Sequence, residues 1–91
     1  MPVDEHYRSP RRRLEDDGRI HGLEVKRVSL MRQLKASEER AADYERYGLQ
    51  PAAARMHEFI ADIEFRLGAL DREIAELRRE ADRSVLEGVR E

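Results

Sequence analysis

The sequence predicts an all-α antiparallel helical hairpin, coiled-coil-like, which dimerises into a four-helix bundle. Three observations carry that fold class. Met56, Ile60, Ile63, Leu67, Leu70, Ile74, Leu77 and Ala81 advance alternately by four and three residues, the heptad spacing of a narrow apolar stripe that faces another helix. Gly48-Leu49-Gln50-Pro51 separates this stretch from a second helical pattern upstream. Charged residues make up 42% and aromatics 5% of the 91 residues, so stability must come from extended helix contact more than from a deep interior.

Residues 1–18 read as a flexible charged arm. Pro2 and Pro10 discourage helix, apolar groups are few, and Arg11, Arg12 and Arg13 form a basic run. Gly18 and Gly22 then bracket Ile20 and weaken helix through that point. The hairpin domain is expected over 19–91, with its first helix over 19–47. Leu23, Leu30, Leu34, Ala41 and Tyr44 fall on one face, Met31 widens it, and Arg27 and Ser37 interrupt it.

The turn is expected at 48–50. Gly48 can take the left-handed conformation that closes a helix, Leu49 can fold back as the apolar residue after the cap, and Pro51 suits the first turn of a new helix because an amide hydrogen there would be unpaired anyway. So short a connection places the helices antiparallel. The second helix is expected over 51–86, about 54 Å long at ~1.5 Å per residue. Its C-terminal segment, 87–91, is expected to fray, since acids there oppose the helix dipole.

Heptad lettering sets Ala53, Ile60, Leu67, Ile74 and Ala81 at a, with Met56, Ile63, Leu70, Leu77 and Ser84 at d. Phe59 and Phe65 fall beside and behind this seam. A two-stranded pairing cannot bury Phe65, and one hairpin leaves a side of each helix open. Both point to further helices, supplied most simply by a second copy of the chain. Charge is consistent with side-by-side helices: residues 18–50 carry seven bases against five acids, and 51–91 carry seven against ten. Exposed pairs of this kind orient helices more than they stabilise them.

Several activities are disfavoured by the residues themselves. With no Cys the chain has no disulfide, thiolate metal site or thiol nucleophile. His21 and His57 are preceded three residues earlier by Gly18 and Ala54, not by the Glu of a bundle metal site. Position 61 is Ala, so His57-Glu58 does not open a metalloprotease motif, and His6 lies in the arm. Asp16-Asp17 and Glu38-Glu39 are adjacent in sequence, and neighbouring side chains on a helix diverge instead of enclosing a reacting atom. Ser9, Ser29, Ser37 and Ser84 have no spacing that joins them to a histidine, and no Lys-Ser or Lys-Thr pair follows Gly18 or Gly22 as a phosphate loop requires. No catalytic residue, metal ligand or cofactor is therefore expected.

What remains is association. The helix-packing interface is expected from Leu23, Leu30, Met31, Leu34, Ala41 and Tyr44 against the stripe from Met56 to Ala81. Arg40, Arg46 and Tyr47 at the hairpin tip, with Arg11, Arg12 and Arg13 of the arm, are the expected partner-binding residues, because arginine and tyrosine combine polar contacts with apolar area. The leading expectation is a non-enzymatic oligomerisation or adaptor protein, a homodimer that positions a protein partner. The alternative is a small nucleic-acid-associated regulator using the arginine arm and Lys26, Arg27, Arg32, Lys35 and Arg40; against it, Glu24, Glu38 and Glu39 are interspersed among these cations. No apolar run suits a membrane span, the polar start MPVDEHYRSP lacks a secretory hydrophobic segment, and no strongly cationic amphipathic face offers membrane attachment. A cytoplasmic location is expected.

Overall fold

The computed structural model describes the backbone of residues 10–89 and the side chains of 15–83. Two helices, α1 (Pro10–Arg46) and α2 (Gln50–Val89), fold back on each other as a hairpin with extents of 72 × 18 × 13 Å. The chain reverses as its turn residues require. Gly48 has φ of +72°, Leu49 N–H donates to the Tyr44 carbonyl at 2.8 Å, and Gly48 N–H donates to the Glu45 carbonyl at 3.1 Å. Together these form a Schellman motif, which satisfies carbonyls that the end of a helix otherwise leaves open. Leu49 then starts the next helix directly, its carbonyl accepting from Ala53 N–H at 2.9 Å. Pro51 falls in the first turn of α2, where a missing amide hydrogen costs nothing.

α1 begins at Pro10, nine residues before the expected start, so residues 10–18 of the expected arm are helical. Proline is tolerated at a helix start. Gly18 and Gly22 lower helix propensity but do not stop the helix, because Ile20 lies between them in heptad register with Leu23 and is half-buried. Residues 1–9 lie outside the described residues. α2 runs to Val89, three residues past its expected end.

The core is a single layer of side chains between the helices. Ala53, Ile60, Ile63, Leu67 and Ile74 of α2 are buried, with Ile63 only 1% exposed, and Met56, Leu70, Leu77 and Ala81 are half-buried. From α1 come buried Ala41 and half-buried Leu23, Leu30, Leu34 and Tyr44. Ser37, which interrupts the apolar pattern, is nonetheless buried, at 6% exposure. Its position in the heptad, three residues after Leu34 and four before Ala41, carries it into the seam, where a small side chain suits close helix approach. Met31 departs from expectation: it is 43% exposed and flanks the seam instead of filling it. It follows Leu30 by one residue, which turns it about 100° away around the helix.

Candidate functional site

Among the described residues three pairs tie α1 to α2, and all lie along one edge of the hairpin. Arg27 Nε donates to Asp71 Oδ1 at 2.7 Å, Arg78 Nη2 donates to Glu24 Oε1, and His57 Nε2 lies 2.6 Å from Glu45 Oε1 near the turn. All six side chains are substantially exposed, so each contact is worth about 0–1 kcal/mol and acts mainly on register.

Helical periodicity sets further residues on that face. Val28 and Met31 stand one turn beyond Glu24 and Arg27 on α1. On α2, Ala54, Ala61, Gly68 and Ala75 recur every seven residues, each three before or four after a residue of the paired edge. Phe65 borders this row of small residues on its outer side and is 71% exposed. Val25 and Val28 of α1 are half or more exposed. The hairpin thus presents an apolar strip near mid-length, with bulky groups on α1 and a shallow floor of small residues on α2.

The tip is a smaller surface. Tyr47 and Leu49 are exposed there, Tyr44 closes the seam, and Arg46 turns back to Asp43, with Nη1 3.7 Å from Oδ1. Arg40 lies two turns away on the opposite edge from the three interhelix pairs, in line with Arg19 and Lys26. The expected tip constellation is therefore split: Tyr47 and Arg46 sit together and Arg40 does not join them. Arg11, Arg12 and Arg13 lie outside the residues whose side chains are described.

A shallow depression on the outside of α1 is lined by His21, Glu24, Val25, Val28, Ser29 and Arg32, all from one helix and open to solvent. Enclosed sites draw their walls from several elements. Among the described residues no three His, Asp or Glu side chains could hold a metal ion, and no helix is long and apolar enough to cross a membrane.

The row from Ala54 to Ala75 and the buried role of Ser37 went unread in the sequence. A seven-residue recurrence of Ala and Gly was the available signal, overshadowed by the stronger apolar seam beside it.

These features define a small all-α helical hairpin with one closed seam and one open apolar face. Comparison with protein-family models, curated proteins and solved structures finds no match to the chain.

Proposed function

We propose that this protein is a non-enzymatic oligomerisation and adaptor module: a homodimer forming a four-helix bundle in the cytoplasm, which holds a macromolecular partner without chemical turnover. One observation carries the reading. The heptad seam is occupied within the hairpin by α1, yet Phe65, Val25, Val28 and Met31 stay exposed, so further helices are needed to cover apolar surface the chain cannot cover alone. A two-helix hairpin with a single core layer is also marginal for independent stability, and association supplies the missing interior. Once the dimer forms, the exposed Tyr47 and Leu49 at each tip remain free to meet a partner.

Native mass measurement of untagged protein over a range of concentrations tests this. A dimer is expected, with Tyr47→Ala leaving the dimer intact and weakening capture of the partner. A chain that stays monomeric and retains no macromolecule rejects the reading.

A nucleic-acid-associated role is the second reading, favoured by Arg19, Lys26 and Arg40. They share one edge of α1, and none has a carboxylate at ion-pair distance among the described residues. Binding that falls steeply with salt and is lost in Arg11→Ala/Arg12→Ala/Arg13→Ala would place it first.

A further inference from the structure

We propose that the edge of the hairpin opposite the interhelix pairs, in the part next to the turn, is a docking surface for an acidic, leucine-bearing peptide segment of another protein. This rests on the adaptor reading and gives it a surface and a partner chemistry. None of Phe65, Val25, Val28 and Met31, the residues that call for further helices, lies on this edge.

Two exposed aromatic rings meet there from different helices. Tyr47 N–H donates to the Asp43 carbonyl at 3.0 Å, so Tyr47 keeps the register of α1 and stands two turns beyond Arg40 on the same line. Phe59 follows His57 of the paired edge by two residues, about 200° round α2, which carries it to the opposite edge. The pairing of Glu45 with His57 and of Glu24 with Arg78 fixes the level of one helix against the other. It puts Phe59 within about one turn of Arg40, and Arg55 within about one turn of Tyr47. Arg40 stays two turns from the tip, and Phe59 and Arg55 of α2 occupy the stretch alongside. Tyr47 is 72% exposed and Phe59 49%. Aromatic and arginine side chains on a rigid support are the groups that dominate protein contact surfaces.

Charge gives the sign of the partner. The carboxylates of this stretch are held within the chain, Asp43 by Arg46 at 3.7 Å and Asp62 by Arg66 at 3.1 Å. Glu39 and Glu58 precede Arg40 and Phe59 by one residue and so point about 100° away round their helices. Among the described residues neither Arg40 nor Arg55 has a carboxylate at ion-pair distance, and Arg55 Nε donates only to the Pro51 carbonyl, at 3.4 Å. Farther from the turn the line of Arg40 continues through Lys26 and Arg19, but there α2 sets Glu73 and Glu80 within about one turn of them. At Arg40 that place is taken by Phe59. Unanswered positive charge is thus concentrated at the end that carries the rings. Two arginines favour a few carboxylates over a nucleic-acid backbone, whose affinity grows with the number of phosphates neutralised. Carboxylates of the segment pair with the forked guanidinium groups of Arg40 and Arg55, and its leucines cover Tyr47 and Phe59.

Fluorescence anisotropy with the full chain tests this. The probes are a short labelled peptide of glutamates with leucines at helical spacing, the same peptide with lysine in place of glutamate, and an oligo(dT) strand. Binding of the glutamate peptide alone is expected, weakened about tenfold in Tyr47→Ala/Phe59→Ala. Arg40→Glu/Arg55→Glu is expected to release the glutamate peptide and take up the lysine peptide with helical circular dichroism unchanged, a reversal that damage to the fold does not produce. Equal binding of both peptides, binding of oligo(dT) alone, no binding of the glutamate peptide, or binding that both variants leave as it was overturns this surface. Where sedimentation of the same samples shows a dimer, the module of the proposed function stands without it; a monomer that binds none of the probes overturns both.

Discussion

Gly48 is the position where backbone conformation most restricts the choice of residue. At φ of +72° a β-branched side chain is strained even though the space around it is empty, so Gly48→Val is expected to destabilise the fold by about 1–3 kcal/mol in urea titration. Gly18 and Gly22 predict the opposite. Both are helical and a Cβ on either meets nothing within 4 Å, so Gly18→Ala and Gly22→Ala are each expected to add about 0.5–1 kcal/mol and to raise helical circular dichroism. Ile63, the most buried large side chain, should cost about 2–5 kcal/mol on truncation to Ala, read as a lowered denaturation midpoint. These residues also show what local sequence can carry. Gly48 was legible because Leu49 and Pro51 surround it with the chemistry of a helix stop and restart. Gly18 and Gly22 were read as breaks because propensity is a weak local preference, and the packing of Ile20 beside Leu23 outweighs it. Ser37 was read as an interruption because its polarity, unlike its size, conflicts with a seam.

At the level of the helices, the seam of α2 was fully legible because its apolar heptads are nearly unbroken, whereas α1 presents a mixed face. Arg27 is the chief reason. It occupies a seam position in register with Ile20, Leu34 and Ala41, but its guanidinium leans out to Asp71 and stays 44% exposed. An exposed ion pair contributes about 0–1 kcal/mol, whereas a buried leucine contributes about 1.5–3 kcal/mol. Arg27→Leu is therefore expected to stabilise the hairpin by on the order of 1 kcal/mol, seen as a higher urea midpoint with an unchanged spectrum; a loss of stability would mean that the pair with Asp71 sets the register. Met31 was assigned to the seam because it adjoins Leu30 in sequence. Adjacent residues on a helix point about 100° apart, and the structure turns Met31 outward accordingly. Its exposure, together with that of Val28, is what makes the second face recognisable.

For the molecule as a whole, the antiparallel hairpin was legible and the row of small residues beside the paired edge was not, because a seam announces itself by apolar periodicity while alanine and glycine carry little apolar signal. Shape gives the corresponding measurement. A single hairpin has a radius of gyration of 20.4 Å and a longest extent of 72 Å. A homodimer that packs its two hairpins side by side as a four-helix bundle is expected to double the mass in small-angle scattering while thickening the cross-section more than it lengthens the particle; association end to end would lengthen the particle instead. The same turn that creates the hairpin also governs how it would respond to force. The start of α1 and the end of α2 lie together at the pole opposite Gly48, so tension applied through them loads the seam one layer at a time, beginning near Ile20 and Ala81 and running toward the turn. The protein would open like a zipper, yielding gradually at low load, where the same contacts pulled lengthwise would have to shear all at once.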